Sequence, residues 1–162
     1  MTQPPDGAPP HLVTYLEAHL DDYEFLAPGV PMPTVPLAAA AIGVAEEQIL
    51  KTLVFVGDDG SPVVAIASGT RRVNRALLAD ACGISRPRAA GPDDVARFTG
   101  FPAGGVAPLG LPADLPVVVD IAVAALPYAY GGGGREHLLL RLRPADIIRL
   151  NEATIAAIVD PG

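Results

Sequence analysis

The fold is decided by the stretch Gln48-Ile49-Leu50-Lys51-Thr52-Leu53-Val54-Phe55-Val56, which contains the only lysine of the chain. As a strand from Leu50, its residues alternate between two faces, so Lys51, Leu53 and Phe55 lie on one side. An ammonium group beside a leucine and a phenylalanine must reach a cleft, pair with a carboxylate or extend into water. Taken alone, the segment favours a lysine at the sheet edge with its charge in solvent.

The residues that follow predict an antiparallel hairpin. Asp58-Asp59-Gly60 is typical of a turn, and it joins the strand at 50–56 to a second apolar run from Pro62 to Ser68. Four more strands are predicted. They are Phe25–Ala27, the apolar run Pro116–Asp120, and a hairpin of Tyr128–Tyr130 with His137–Leu142 around Gly131–Gly134.

Helices are predicted where apolar spacing coincides with capping residues. A first helix begins at Pro10, and its apolar face is Leu12, Leu16, Leu20 and Tyr23. Thr34 and Asn74 are good N-caps for helices that end before Gly43 and Gly83. Further helices are predicted over Pro92–Phe98 and from Pro144 and Asn151. Because no regular strand–helix–strand alternation appears, the class is α+β with mainly antiparallel pairing.

Length and composition limit the class of protein. With 162 residues, the chain is long enough for one domain, which we place at 10–162 after a lead-in at 1–9 expected to be disordered. No apolar stretch reaches the roughly 18 residues of a membrane span. The N-terminus has no secretory pattern, and a single cysteine excludes an internal disulfide. We therefore expect a cytoplasmic protein without a membrane partner.

The charge pattern indicates a local rather than a general affinity for anions. A net charge of −7 argues against a broad basic surface, but it leaves room for a local cationic groove. Arg71, Arg72 and Arg75 form the densest cationic cluster at the start of the Asn74 helix. A solvated helix start is the ordinary interpretation. Cations at a helix N-terminus oppose the helix dipole, however, which favours an anionic partner.

Several kinds of active site are not supported. The chain has neither a Gly-x-Ser-x-Gly elbow nor a Walker-type phosphate loop. The histidines lack metal-ligand spacing, and we expect no metal and no cofactor. Cys82 lies in an apolar helix face, which favours a buried, inert thiol over a nucleophile. The sequence leaves the roles of two features undecided. The Gly104–Gly110 loop either exposes several N–H groups to a carbonyl oxygen or is a tight connection between strands. Asp120 either faces a cleft or caps the following turn.

Taken in order, the motifs resemble the YbaK/prolyl-tRNA synthetase editing-domain family over roughly residues 30 to 160. The similarity rests on the following segments: Ala38–Val44, Gln48–Phe55, Gly69–Asn74, Phe98–Phe101, Gly104–Gly110 and Val117–Asp120. The Gln-Ile-x-Lys-Thr-Leu-Val-Phe block and the Gly-x-x-x-Pro loop form the most specific pair. One departure is that family members often carry a serine where this chain has Gly131 and Gly132.

The resemblance implies a curved, largely antiparallel sheet and a stand-alone enzyme that hydrolyses mischarged aminoacyl-tRNA, typically proline tRNA carrying alanine or cysteine. Its partners would be that tRNA and prolyl-tRNA synthetase. It implies that Lys51 positions the charged 3′ end and that the loop cradles the carbonyl with Gly104, Gly105, Val106, Ala107 and Pro108. Candidate substrate-binding residues are Thr34, Thr52, Arg71, Arg72, Arg75 and Asp120.

The implied chemistry is physically reasonable without a metal. An aminoacyl ester is already activated, so a positioned water and oriented backbone donors can suffice. Two alternatives stay open. One is a non-catalytic module of the same fold that binds tRNA or a synthetase, and the other is a small-molecule amidase or esterase.

Overall fold

Helices and strands are mixed along residues 4–161, the part of the chain that the computed structural model describes. The helices are α1 (Pro10–His19), α2 (Val35–Ile42), α3 (Arg75–Cys82), α4 (Pro92–Thr99), α5 (Ile121–Ala124) and α6 (Pro144–Asn151), with a 3₁₀ turn at Glu46–Gln48. The strands are β1 (Glu24–Leu26), β2 (Leu50–Val56), β3 (Pro62–Ser68), β4 (Arg88–Ala89), β5 (Val117–Asp120), β6 (Ala129–Gly132), β7 (Leu139–Leu142) and β8 (Thr154–Ala156).

Two sheets form the frame. The larger sheet has the order β4-β2-β3-β5-β8, in which β2 pairs antiparallel with β3 and β4, while β5 lies parallel to β3 and β8. The smaller sheet, β1-β7-β6, is antiparallel throughout. A bridge between Ile49 and Tyr130 connects the sheets where β2 begins. The prediction of a mixed, mainly antiparallel α+β fold is confirmed.

The predicted capping residues determine where the helices begin and end. The hydroxyl of Thr34 accepts the amide of Leu37 at 3.3 Å, and the side chain of Asn74 accepts the amide of Leu77 at 3.0 Å. Gly43 and Gly83 follow α2 and α3 in the left-handed conformation, at φ of 72° and 71°. A residue without a β-carbon adopts this conformation at little cost, and the helices end there.

Near the C-terminus the sequence-based prediction was wrong. Asn151 ends α6 instead of opening a further helix, and Glu152 follows at a left-handed φ of 50°. Thr154–Ala156 then forms β8 because β5 offers a parallel edge that pairs with it. The predicted hairpin tip also shifts, since Gly131 and Gly132 belong to β6.

Apolar side chains cover both faces of the larger sheet. One cluster lies between this sheet, helix α1 and the smaller sheet, and includes Leu16, Val54 and Leu140. The other lies beneath α3 and includes Phe55 and Leu78. Because neighbouring residues of a strand point to opposite faces, Thr52 lies on the side of Val54, and Lys51 lies on the side of Phe55.

The start of the described chain packs on the hairpin of the smaller sheet. Pro9 is buried, and a β-carbon on Gly134 would lie 2.4 Å from its Cγ. The Nε of Arg135 donates a hydrogen bond to the carbonyl of Gly7 at 3.1 Å. The first three residues of the predicted lead-in lie outside the described range. Among the helices of residues 4–161, none has the length and apolar character to cross a membrane.

Candidate functional site

A cleft of about 290 Å³ opens where β2, the start of α2, the loop after α4 and the β6–β7 hairpin meet. We call it the central cleft. Its polar or flexible lining residues are Thr34, Lys51, Thr52, Gly104, Gly132 and Glu136, set among apolar side chains such as Ile49, Val106 and Leu139. The structure thus brings together the two motifs of the sequence that are most specific, the Lys51 block and the Gly104–Pro108 loop.

Lys51 stands where this cleft meets a second concavity of about 660 Å³, which we call the basic groove. The groove is lined by Lys51, Leu53, Phe55, Thr70–Arg75, Ala89 and Asp160. Lys51 is half-buried, and no carboxylate of residues 4–161 lies within 4.0 Å of its ammonium group. Of the three environments that the sequence left open, the structure therefore supports a lysine that reaches a cleft.

The arginine segment of the groove is held by the C-terminal residues. Arg71 donates to the carbonyl of Asp160, and the amide of Asp160 donates to the carbonyl of Arg72 at 2.9 Å. The side-chain amide of Asn74 donates to the Asp160 carboxylate at 3.0 Å. These contacts fix the backbone of the segment, while the side chains of Arg72 and Arg75 stay exposed.

The arginines of the groove differ from most of those elsewhere in the molecule. Within residues 4–161, Arg71, Arg72 and Arg75 have no carboxylate within ion-pair distance. By contrast, Arg141 pairs with Asp22 at 3.0 Å, and Arg149 pairs with Asp146 at 2.9 Å. The Asp160 carboxylate also lines the groove, but it accepts from Asn74 and forms no ion pair with these arginines. Their guanidinium groups are therefore available to an anion.

The Gly104–Pro108 loop is shaped by close backbone contacts. Gly104 has a left-handed φ of 85°. The amide of Gly105 donates to the carbonyl of Pro102 at 3.0 Å, and a β-carbon on Gly105 would lie 2.9 Å from Cα of Arg135. Gly105 is therefore part of the base of the loop.

Two of the five loop residues face the central cleft. Gly104 and Val106 line it, and their amides have no hydrogen-bond acceptor among the described residues. Ala107 and Pro108 are buried behind them, and the carbonyl of Pro108 accepts the side-chain amide of Asn151 at 2.7 Å. The structure thus leaves Gly104 and Val106 as the loop donors that a substrate could reach.

The hairpin glycines leave room for this loop. A β-carbon on Gly131 would lie 2.9 Å from Cδ of Pro108, and one on Gly132 would lie 2.4 Å from the carbonyl oxygen of Val106. Both distances are too short for a side chain. Family members often have a serine in this hairpin, where this chain has Gly131 and Gly132. At these two positions the Gly104–Pro108 loop occupies the space that a side chain would need.

The two threonines of the cleft differ in the hydrogen bonding of their hydroxyl groups. The hydroxyl of Thr34 already accepts the amide of Leu37 as a helix cap. The Oγ1 atom of Thr52 is buried and has no hydrogen-bond partner among the described residues. A buried hydroxyl without a partner is costly, which makes Thr52 the stronger candidate for contact with a ligand.

Asp120 does not belong to the candidate site. It is 2% exposed and lines neither the central cleft nor the basic groove. Its Oδ2 accepts the amide of Ala122 at 3.1 Å, and its Oδ1 accepts the amide of Ile158 at 3.0 Å. Both oxygens are thus used in joining β5 to α5 and to the segment after β8, so Asp120 caps a turn.

Two lining residues were missed at the level of sequence. Glu136 lies in the central cleft, but it follows a run of glycines that predicted only a hairpin tip. Asp160 reaches the groove from the end of the chain, and no local signal marks it. In the described part of the chain, no group of three or more His, Cys, Asp or Glu side chains is arranged to hold a metal ion.

Fold and site together define a mixed α+β domain in which a small cleft opens directly into a cationic groove. The model of the aminoacyl-tRNA editing domain family matches residues 30–150, and this chain belongs to that family. The resemblance inferred from the motifs is thereby confirmed.

The relatives link the chain to proline–tRNA ligases. It is 39% identical to the proline–tRNA ligase of Geobacter sp. (strain M21) over 88 residues, and 33% identical to that of Streptococcus suis (strain 05ZYH33) over 103 residues. These matches cover 54% and 64% of this chain. The chain spans only 15% and 16% of the length of those two ligases.

Solved structures match nearly the whole chain. One is described as a proposed trans-editing enzyme for prolyl-tRNA synthetase, with a TM-score of 0.84, 29% identity, and coverage of 94% of this chain and 99% of that one. Another is a hypothetical protein, APE2540, with a TM-score of 0.84, 32% identity, and coverage of 93% and 99%. The fold therefore occurs as a separate chain of this size.

Proposed function

We propose that this protein hydrolyses the ester bond of mischarged aminoacyl-tRNA and acts in trans on proline tRNA that carries alanine or cysteine. The observation that carries the proposal is the position of Lys51 at the junction of the central cleft and the basic groove. The family, the similarity to proline–tRNA ligases and the solved structure described as a proposed trans-editing enzyme support it.

The two concavities suit the two parts of such a substrate. The central cleft is small, and it combines apolar side chains such as Ile49, Val106 and Leu139 with polar groups, which suits an alanyl or cysteinyl ester. The basic groove offers unpaired cations to the phosphates of the acceptor end. Lys51, a compact point charge, can hold the terminal ribose and its phosphate between them. We therefore assign Lys51 to positioning, rather than to nucleophilic attack or proton transfer.

The reaction is the addition of water to an ester. A bond forms between the water oxygen and the acyl carbon, the bond from that carbon to the ribose oxygen breaks, and a water proton ends on the ribose oxygen. The amides of Gly104 and Val106 are the proposed donors to the oxyanion that forms between these steps. The products are the free amino acid and a tRNA with a free terminal hydroxyl.

The deciding experiment measures release of labelled amino acid from Ala-tRNA(Pro), Cys-tRNA(Pro) and correctly charged Pro-tRNA(Pro). We expect the wild type to hydrolyse at least one of the two mischarged tRNAs and to spare the third. Lys51→Ala should lose about 100-fold in rate, because a displaced ester is poorly oriented for attack. Lys51→Arg should also lose most activity, because a planar fork does not replace a point charge.

Arg86→Ala is the matched control, because Arg86 is an exposed cation outside both concavities that pairs with Asp58 at 3.7 Å. If the wild type hydrolyses none of these tRNAs, the enzymatic proposal is wrong, and saturable tRNA binding would then support a non-catalytic module. Equal rates on tRNA and on a free aminoacyl ester would indicate a small-molecule esterase. Full activity of Lys51→Ala would contradict only the role of Lys51.

A further inference from the structure

We infer that Glu136 binds the α-ammonium group of the aminoacyl ester and so determines the direction in which the charged 3′ end lies in the cleft. The inference rests on the proposed function and adds a specificity-determining residue to it. It predicts that the protein prefers a substrate with a free α-amino group.

The position of Glu136 supports this role. Glu136 lines the central cleft and also a neighbouring outer pocket of about 410 Å³ formed with Val30–Pro33, Gly104 and His137. Its Oε1 lies 3.4 Å from the position that a β-carbon on Gly104 would occupy. The carboxylate is therefore beside the loop residue whose amide is proposed to bind the carbonyl oxygen. In an aminoacyl ester, the ammonium group is one carbon away from that carbonyl.

The charge of Glu136 is available to a ligand. Within residues 4–161, no arginine, lysine or histidine lies within ion-pair distance of its carboxylate. The neighbouring Arg135 is directed elsewhere, since its Nε donates to the carbonyl of Gly7. Among the residues that line the central cleft, Glu136 is the acidic one and Lys51 the basic one.

The order of charges along the surface matches the order of groups in the substrate. From the outer pocket to the basic groove, the surface presents Glu136 beside Gly104, then Val106, then Lys51, and then the arginines. A charged tRNA end presents an ammonium group, a carbonyl, a ribose and then phosphates. Only one direction places each group against its complement, because the reverse would set the ammonium group among cations.

Neutralising the α-amine is the most direct test. We expect the wild type to hydrolyse Ala-tRNA(Pro) about twofold to fivefold faster, in kcat/KM, than N-acetyl-Ala-tRNA(Pro), because Glu136 is exposed and an exposed charge pair contributes that much. Glu136→Gln should lose that factor on Ala-tRNA(Pro) and be unchanged on the acetylated substrate. Glu136→Asp should recover part of the preference. Glu17→Gln, an exposed acid on α1 outside the cleft, is the control.

Two outcomes would overturn the inference. One is a wild type that hydrolyses both substrates equally well, and the other is a Glu136→Gln variant that loses the same factor on both. A purely structural role of Glu136 would produce the second result, because it would not distinguish a free from an acetylated amine.

A binding experiment separates this inference from the proposed function. In 3′-alanylamido-adenosine monophosphate a stable amide replaces the ester, so its binding can be measured by calorimetry even if the protein hydrolyses nothing. We expect the wild type to bind it more tightly than its N-acetyl derivative, and Glu136→Gln to bind both equally. Equal binding by the wild type would contradict the role of Glu136, whereas a preserved preference without hydrolysis would contradict only the proposed reaction.

Discussion

Gly132 of β6 contacts Val106 of the Gly104–Pro108 loop so closely that a β-carbon at position 132 would lie 2.4 Å from the Val106 carbonyl oxygen. No side chain fits at that distance, so the loop can occupy its place only because residue 132 is a glycine. The same contact holds Val106 at the wall of the central cleft. The hairpin glycines thus determine the position of the proposed oxyanion donors.

Replacing Gly132 by alanine should displace this loop. We expect Gly132→Ala to lower the free energy of unfolding by about 1–3 kcal/mol, as overpacking against backbone does. We expect deacylation to fall by about 10-fold to 100-fold, because the donors move relative to the ester. Urea unfolding and the deacylation assay measure the two effects.

Gly91→Ala is the matched control for this substitution. Gly91 has φ of −75° and no atom within 4 Å of an added β-carbon, and it is the N-cap of α4. Loss of a glycine cap should cost less than about 1 kcal/mol and leave activity unchanged. If Gly132→Ala behaves like Gly91→Ala in both assays, the contact does not position the loop.

Thr52→Val should separate stability from activity. Its buried hydroxyl has no partner in the described structure, so removing it should leave the free energy of unfolding unchanged or raise it by up to about 1 kcal/mol. The rate of deacylation should fall by about tenfold, because the substrate loses a hydrogen bond that contributes about 1 kcal/mol to its binding. Thr154→Val, an exposed threonine of β8, is the control. A clearly destabilised Thr52→Val would show that the hydroxyl already has a partner in the folded protein.

The exposed arginines of the groove should govern the salt dependence of tRNA binding. We expect Arg72→Gln and Arg75→Gln each to reduce the slope of log K against log salt concentration by about 0.7–0.9. Fluorescence anisotropy with uncharged tRNA(Pro) measures this slope at several salt concentrations. Arg97→Gln should leave it unchanged, because Arg97 pairs with Asp94 at 3.0 Å outside the groove. An unchanged slope in both groove variants would place the tRNA elsewhere.

The carboxyl group of Asp22 should make stability depend on pH. The hydroxyl of Tyr128 donates to it at 2.8 Å and Arg141 donates at 3.0 Å, and these contacts lower the pKa of Asp22. The unfolded chain has an Asp pKa of about 3.9, and the lower pKa of the folded protein stabilises the fold at every pH above that value. This stabilisation disappears as the pH falls through the pKa of Asp22 in the folded protein.

We therefore expect Asp22→Asn to be less stable than the wild type by about 0.5–1 kcal/mol at pH 7, since its side chain is 33% exposed and screened by solvent. The difference should shrink below about pH 4 and disappear at lower pH. Urea unfolding at pH 7, 5 and 3 measures it, and Asp21→Asn, the exposed neighbour, is the control. A difference that does not change with pH would assign the effect to packing.

Local patterns predicted most elements of secondary structure. The bounds of β2, β3 and α3 were predicted correctly, because alternating residues, the Asp-Asp-Gly turn, the Asn74 cap and Gly83 are local signals. Elements that depend on a distant partner were missed or misassigned. Strand β8 has its structure because β5 lies beside it, and the two-residue strand β4 exists only through its pairing with β2.

The candidate site was predicted in part. Lys51, Thr52 and the Gly104–Pro108 loop were identified from the sequence, and their order along the chain led to the correct family. The sequence did not reveal which loop amides are free, since that depends on hydrogen bonds such as that of Gly105 to Pro102. It also left the role of Asp120 open, which was decided by two distant backbone amides.

By itself, the sequence determined the secondary structure around Lys51, the family and the residue types available for chemistry, because these depend on periodicity, capping and motif order. Only the tertiary structure decided which residues share a concavity. Glu136, Gly104 and Lys51 come from separate segments, and they meet because the loop packs on the hairpin glycines. Such contacts depend on close packing between distant parts of the chain, and no local pattern of residues records them.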